Sequence, residues 1–293
     1  MPTFAIILVL VSCFTHAAWN LFARQTKSEM AFFQRMLLII AMAGFVPFVL
    51  SEAVAHSIPA LGWLCALGSG ICGGVYMYGL ARAYGTAEFS IVYPVARALP
   101  VLLVGLGDVL RHRPMTAPGW AGLILVFLGC MLTPLQSLRE FKLRPYLHSS
   151  MPWILAAALG TVGYSLLDKI ASEVVTPGPG TAVRYCYVFF SFSWIVLVLL
   201  CRVTRVSEKK QILGWRLPLL GTICFFGTYC LVLWAYQLSD RAGYVVAFRQ
   251  FSIIIGVALA FLIYKERWTV VRILGVGLIC TGLMLVGLFG GEA

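Results

Sequence analysis

Long apolar stretches alternate with short polar ones along the whole chain, and ten of them have the length of a membrane-crossing helix. An α-helix needs about 20 residues to cross the hydrocarbon core of a bilayer. The segments are 4–22, 32–50, 60–83, 88–110, 117–134, 152–170, 181–201, 215–237, 243–264 and 268–289. They are too long for the alternating strands, about ten residues each, of an outer-membrane barrel. The pattern therefore predicts an all-α integral membrane protein with ten transmembrane helices.

The composition excludes most other classes of protein. The 293 residues are 61% hydrophobic and 11% charged, whereas a soluble domain is about half apolar and about a quarter charged. The sequence contains no HExxH or GxSxG motif and no GxxxxGK[ST] phosphate-binding loop. The nine cysteines lie in or beside apolar segments without a CxxC pair, which favours packing over a metal site. We therefore expect no enzymatic activity, no direct use of ATP, no cofactor and no bound metal.

The net charge of +11 follows from topology. Fourteen of the Lys and Arg residues flank the connections after odd-numbered segments: Arg24, Lys27, Arg82, Arg139, Lys142, Arg144, Arg202, Arg205, Lys209, Lys210, Arg216, Lys265, Arg267 and Arg272. The other connections hold four, namely Arg111, Arg113, Lys169 and Arg241. Because cytoplasmic loops carry the excess of Lys and Arg, the bias predicts a multi-pass protein of a bacterial-type plasma (inner) membrane with both termini outside. We expect the lipid bilayer as its partner and no nucleic acid.

The second half of the chain repeats the first. The stretches ARAYGTAEFSIVYPVARALP and LWAYQLSDRAGYVVAFRQFS each hold an Ala-Tyr pair followed thirteen residues later by an arginine, Arg97 or Arg249. The first segments of the two halves also match, with His16 over Tyr164 and Asn20 over Asp168. Each of these pairs is spaced i, i+4, so its members share one helix face.

The repeat predicts two five-helix halves, residues 1–143 and 144–293, that meet in the polar stretch LQSLREFKLRPYLHSS. Five is an odd number, so the halves are expected to lie inverted in the membrane. Inverted repeats are typical of secondary transporters, which bind substrate near the bilayer midplane between the halves.

These features resemble the drug/metabolite transporter superfamily, specifically its EamA-type members. The likeness rests on the five-plus-five layout, the Ala-Tyr endings of the third and eighth segments, and KER before a Gly-rich last segment. The resemblance implies ten helices around a central cavity lined by the first, third, fourth, sixth, eighth and ninth segments. Such a protein moves small molecules. Ten segments with an internal repeat are enough for a working monomer, so we expect a monomer or homodimer.

The sequence departs from its relatives at two points. The related four-helix multidrug transporters carry an essential glutamate in their first helix, eight residues before a lysine. Here His16 lies eight residues before Arg24, and a histidine is not suited to a cationic drug. Many EamA-type proteins also have a basic second loop and cytoplasmic termini, whereas residues 50–61 contain no Lys or Arg. We follow the charge bias of this chain for its orientation.

Arg97 and Arg249 are the main candidates for substrate binding. Arg97 lies about 13 Å into the bilayer, nine residues after Glu88 at 1.5 Å per residue. An ionisable side chain at that depth usually faces a cavity or a partner, and Asp168 is the alternative, structural partner. If both arginines face a cavity, they would bind carboxylate or phosphate oxygens in a bidentate way.

The other candidates surround these arginines. We expect a binding site formed by His16, Asn20, Tyr93, Arg97, Tyr164, Asp168, Trp234 and Arg249. His16 and Asp168 are also candidates for proton coupling, since histidine changes charge near neutral pH; the alternative for His16 is a neutral hydrogen bond between helices. The predicted function is a secondary transporter of an amino acid, an organic acid or a phosphonate that works by alternating access. The alternative is a flippase for a lipid or a lipid-linked phosphate or sugar head group.

Overall fold

The computed structural model describes residues 1–26, 28–84, 89–135, 137, 150–205, 214–264 and 269–290, without the side chains of 24, 84, 89–95, 260, 263 and 264. Its helices are α1 (Thr3–Arg24), α2 (Glu29–Ala55), α3 (Ala60–Tyr84), α4 (Phe89–Leu110), α5 (Ala117–Leu132), α6 (Met151–Ser172), α7 (Pro179–Val203), α8 (Arg216–Leu238), α9 (Ala242–Phe248), α10 (Phe251–Tyr264) and α11 (Val270–Phe289). Within these ranges eight segments are long and apolar enough to cross a membrane, and α5 is a shorter apolar helix. The expected all-α membrane class is confirmed.

The ninth predicted segment is two helices rather than one. The chain turns at Arg249 and Gln250, where the N–H of Gln250 binds the carbonyl of Ala247 at 2.9 Å. The N–H of Ile253 binds the carbonyl of Gln250 at 2.8 Å. These bonds join residues three apart, as in a 3₁₀ turn, in place of the four-residue spacing of an α-helix. The segment therefore presents backbone carbonyls in the middle of the bundle.

Short polar side chains begin several helices as the sequence suggests. The Ser28 hydroxyl accepts the N–H of Ala31 at the start of α2, at 3.3 Å. Thr116 accepts the N–H of Gly119 at the start of α5, at 3.1 Å. An N-cap hydroxyl satisfies one of the backbone donors that the first turn leaves without an internal partner.

On one face of the bundle, the segments that connect the helices are hydrogen-bonded to one another. The N–H of Thr176 binds the carbonyl of Ser57 at 3.0 Å, and Nε of Arg241 binds the carbonyl of Pro114 at 2.9 Å. We call this surface the linked face; it contains the connections 56–59, 111–116, 173–178 and 239–241. Those are the connections with few basic residues in the sequence.

A buried carboxylate lies just beneath the linked face. Asp108, near the end of α4, is fully buried and accepts the N–H groups of Ala242 at 3.1 Å and Gly243 at 2.7 Å. It also accepts Nη1 of Arg111 at 3.0 Å. Asp108 thus caps the first turn of α9, where a negative charge is favoured by the helix dipole. The two halves of the chain are joined at this point.

Arg111 extends this contact to α6 and α8. Its Nη2 lies 2.7 Å from Oε1 of Glu173, and Nζ of Lys169 lies 3.1 Å from the same oxygen. Lys169 also donates to the carbonyl of Tyr236 at 3.1 Å. Partial burial acts to raise the pKa of the Glu173 carboxyl, but the Arg111 hydrogen bond and the Lys169 charge outweigh it and hold that pKa below its usual value. Asp108, Arg111, Lys169 and Glu173 are named the Asp108 cluster.

Glycines let α5 and α11 pack closely. A Cβ at Gly129 would lie 2.6 Å from the carbonyl oxygen of Gly275, and one at Gly122 would lie 2.7 Å from that of Gly282. Helix interfaces in membranes use small residues because packing, rather than the hydrophobic effect, drives their association. The glycines of α11 at Gly275 and Gly282 therefore pack directly against those of α5.

Replacing Asp108 by alanine is expected to lower the free energy of unfolding by about 3 kcal/mol, because two buried N–H groups lose their acceptor and the partly buried Arg111 loses one of its two carboxylate partners. Asp108→Asn, which keeps one acceptor oxygen, should lower the free energy of unfolding by less. The measurement is the melting temperature of the detergent-solubilised protein. Asp240→Ala is the control, since Asp240 is exposed in the adjoining connection. Equal melting temperatures for Asp108→Ala and Asp240→Ala would contradict the capping role.

Gly275→Ala and Gly277→Ala should have opposite effects although both lie in α11. A Cβ at Gly275 would lie 2.8 Å from Oγ1 of Thr133, whereas one at Gly277 would meet nothing within 4 Å. We expect Gly275→Ala to lower the melting temperature by several degrees. Gly277→Ala should leave it unchanged or raise it, since alanine is the better helix former by about 1 kcal/mol. A lower melting temperature for both variants, or for neither, would argue against the close helix contact.

Candidate functional site

The guanidinium of Arg97 lies at the turn between α9 and α10. Nη1 is 3.0 Å from Nε2 of His16, and Nη2 donates to Oγ of Ser252 at 2.7 Å. Nη2 also lies 3.4 Å from the carbonyl oxygen of Arg249. A guanidinium has no acceptor, so Nε2 of His16 accepts and its ring proton is on Nδ1. The contacts join α1, α4 and the turn of the ninth segment.

The two repeat-related arginines meet at this place. The backbone carbonyl of Arg249 accepts from Arg97, and it also lies 3.6 Å from the thiol of Cys13. The guanidinium of Arg249 lies over the ring of Tyr229, 5.7 Å from its centroid. Within the described ranges, that guanidinium makes no hydrogen bond or ion pair with a protein group. Arg249 is thus a cation in the centre of the bundle whose donors are open to a ligand.

A polar cavity lies between these side chains. Its empty volume is about 520 Å³, part of it open to solvent. The lining residues come from α1, α3, α4, α6 and the ninth segment: His16, Asn20, Tyr76, Leu80, Ala96, Arg97, Thr161, Tyr164, Val246, Arg249 and Gln250. Gln250 is 4% exposed, and its Oε1 has no hydrogen-bond partner among the described residues. The cavity therefore offers hydrogen-bond donors on Arg249, and Gln250 brings a buried acceptor without a described partner to its wall.

A second cavity, whose empty volume of about 340 Å³ includes space open to solvent, adjoins the first. The two share His16, Tyr76, Tyr164 and Arg249. The remaining wall is mainly aromatic and comes from α1, α3, α7 and α8: Trp19, Met77, Phe189, Phe190, Phe225, Thr228 and Tyr229. We call these the head-group cavity and the aromatic cavity.

Asp168 lies beside the cavities but lines neither of them. Its carboxylate is 1% exposed and accepts the hydroxyl groups of Ser69, Tyr185 and Tyr229, that of Tyr185 at 3.0 Å. Among the described residues it forms no ion pair with Arg97, so the structural partnership considered from the sequence is absent. Tyr229 therefore connects Asp168, which its hydroxyl binds, to Arg249, which lies over its ring.

The head-group cavity brings most of the predicted residues together. Five of the eight line it, namely His16, Asn20, Arg97, Tyr164 and Arg249. Asn20 also donates from Nδ2 to the carbonyl of His16 at 2.8 Å. Trp234 lies elsewhere, with its ring 5.1 Å from that of Phe4, and lines neither cavity. The side chain of Tyr93 lies outside the described residues.

Several residues of this region were not found from the sequence. Gln250 and Ser252 directly follow Arg249, so the stretch RQFS carried a signal that could have been used. Ser69 and Tyr185 have no counterpart in the repeat and look like ordinary residues of apolar helices. Only the packing of α3 and α7 against α6 brings their hydroxyl groups to Asp168. The predicted cavity also omitted the seventh segment, which supplies part of the aromatic cavity.

A multi-pass helical bundle with buried charges around a central cavity is an architecture of membrane transport proteins. The chain belongs to the EamA-like transporter family, whose sequence model matches residues 3–134 and 148–288. These are two copies of the family unit, so the resemblance drawn from the repeat is confirmed. The family is one of small-molecule transporters rather than enzymes.

A solved structure described as "Crystal structure of protein" has the same fold. It superposes with a TM-score of 0.72 over 99% of this chain and 98% of its own, at 14% sequence identity. That identity supports a common fold and nothing about substrate. A comparison with curated proteins found no matching sequence.

Proposed function

We propose that this protein is a secondary transporter that carries a small organic anion or zwitterion across the membrane by alternating access. The observation that carries the proposal is the open guanidinium of Arg249 in the head-group cavity. A charge inside the bilayer is costly unless it is compensated. A bound carboxylate or phosphonate would compensate it and match its planar donors.

The buried, unpartnered acceptor of Gln250 in the wall of the head-group cavity favours a ligand that also donates. Its amide nitrogen is already engaged, since Nε2 donates to the carbonyl of Val246 at 3.0 Å, which leaves Oε1 for the ligand. A buried acceptor without a partner is unfavourable, and an ammonium or hydroxyl group would satisfy it. An amino acid or an aminated phosphonate has both kinds of group. A simple organic acid would use Arg249 alone.

Two other arginines, each near the start of the second helix of its half, support inversion of the two halves. Arg184, near the start of α7, binds Glu52 at 2.9 Å close to the linked face. Arg35, near the start of α2, lies 4.8 Å from the ring of Trp215, which precedes α8 on the opposite side of the bundle. Helices that begin at opposite faces are what an inverted repeat requires. In this scheme the Asp108 cluster closes the linked face in one state and separates in the other.

Asp168 and His16 are the proposed proton-coupling residues. Asp168 is a buried carboxylate that hydroxyl groups bind and, among the described residues, no cation pairs with. His16 accepts from Arg97 through a ring nitrogen that protonation would convert to a donor. Protonation of either residue would therefore change the contacts of an arginine, directly at Arg97 or through Tyr229 at Arg249.

The arginines can be tested with the purified protein. A panel of amino acids, organic acids and phosphonates is screened by thermal shift, because a ligand that binds the folded state raises the melting temperature. The best ligand is then followed in proteoliposomes. Arg249→Gln should lower affinity and transport by at least about 10-fold, the cost of losing a charged hydrogen bond.

Arg35→Gln is the matched control, since Arg35 lies outside both cavities. Arg97→Gln should also lower transport. Wild-type uptake and export by both Arg97→Gln and Arg249→Gln would refute the proposal. A melting-temperature rise given only by lipid-linked phosphates would favour the flippase alternative.

If protons drive transport, a variant of a proton-coupling residue should lose accumulation of substrate but keep substrate binding. Asp168→Asn should keep substrate exchange between equal concentrations but lose accumulation driven by a pH gradient, because the side chain no longer takes up a proton. His16→Ala is measured alongside it. Proteoliposomes with an imposed gradient and an internal pH dye give the readout. If transport by both variants kept its wild-type dependence on pH, Asp168 and His16 would not couple protons to transport. The proposed role of Arg249 in binding substrate would be unaffected by that result.

A further inference from the structure

The aromatic cavity has a chemistry that the head-group cavity lacks. The rings of Phe189 and Tyr229 are stacked with centroids 4.6 Å apart and an interplanar angle of 25°. Phe225 lies 4.6 Å from Phe190 and 4.9 Å, edge to face, from Trp19. Ring faces and edges therefore form a continuous wall around a space that is not filled by protein.

Few polar atoms in the aromatic cavity are available to a ligand. The hydroxyl of Thr228 is already bonded to the carbonyl of Cys224 at 2.6 Å and to Thr15 at 2.7 Å. Nε1 of Trp19 has no partner among the described residues, and further polar atoms come from His16, Tyr164 and Arg249 on the side shared with the head-group cavity. Burying an ordinary polar group against this wall would cost free energy. An apolar, flat group would instead be stabilised by burial and by ring contacts.

Arg249 stands at the border between the two cavities. It lines both of them, and its guanidinium lies 5.7 Å from the centroid of the Tyr229 ring. A ligand whose anionic group binds Arg249 would therefore have its neighbouring atoms at the mouth of the aromatic cavity. A ring joined to the anionic group by a short linker would reach the wall.

We infer that the substrate carries an aromatic substituent, or a flat apolar one of similar size, next to its anionic head group, and that the aromatic cavity is the pocket that selects it. This inference rests on the proposed role of Arg249. It restricts the proposed substrates from anions and zwitterions in general to those that carry one ring-sized substituent.

Matched pairs of ligands separate the head group from the substituent. L-Alanine is compared with L-phenylalanine, and methylphosphonate with phenylphosphonate, by calorimetric titration of the full-length protein in detergent. The phenyl member of at least one pair should bind about 10-fold or more tightly than its methyl partner, as expected for burying a ring in an apolar pocket.

Variants of α8 locate the effect. Phe225→Leu should reduce the phenyl-to-methyl affinity ratio several-fold, because the ring contacts are lost while the side chain stays apolar. Phe226→Leu is the control, since it is the same change at the next position and Phe226 lines neither cavity. The melting temperatures of both variants show that they are folded. If Phe225→Leu and Phe226→Leu changed the phenyl-to-methyl affinity ratio equally, the phenyl ring of the ligand would not bind in the aromatic cavity. That result would overturn the inference.

The same titrations distinguish this inference from the proposed function. Equal affinities within both pairs, with binding abolished by Arg249→Gln, would overturn the aromatic pocket and leave the arginine site intact. Binding with the expected preference but unaffected by Arg249→Gln would overturn the arginine site. Absence of binding by all four compounds would count against both, because each compound presents an anionic group of the expected class.

Discussion

The contact between Arg97 and the turn of the ninth segment is the interaction on which the centre of this protein depends. A guanidinium in the middle of a membrane needs acceptors, and a regular α-helix offers few because its carbonyls already accept hydrogen bonds within the helix. The turn at Arg249 and Gln250 releases carbonyls, and Arg97 binds one of them together with Ser252. The charge and the interruption of the helix therefore stabilise each other, in the way known for inserted side chains at helix breaks.

A consequence of this contact is that the two arginines are not equivalent, although the repeat relates them. Arg97 is engaged with His16, Ser252 and the backbone, so it shapes the site. Arg249 has its backbone in that contact and its side chain over Tyr229, with its donors towards the cavities. One half of the repeat thus supplies the support, and the other supplies the charge that we propose binds the ligand.

Much of the architecture was predictable because membrane helices are determined by length and hydrophobicity. The candidate arginines and the i, i+4 pairs could also be predicted, because a charged or polar residue is easily recognised within a long apolar segment. The interruption of the helix at Arg249 could not be predicted, because no proline or glycine lies at that position. The contacts that stabilise it come from Arg97 in another helix. Trp234 was assigned to the cavity by residue type, yet its helix face turns it towards Phe4. Side-chain direction depends on helix rotation, which the sequence pattern leaves open.

Tyr229 shows how a coupled transporter could be built from these parts. Its hydroxyl binds Asp168, its ring lies under the guanidinium of Arg249, and the same ring is stacked on Phe189. A change at the carboxylate would move or release the hydroxyl, and the ring could not shift without altering both the position of Arg249 and the wall of the aromatic cavity. Since packed interiors deform little, one rigid side chain in contact with both groups is enough to link a buried acid to the proposed binding site, which the acid does not touch.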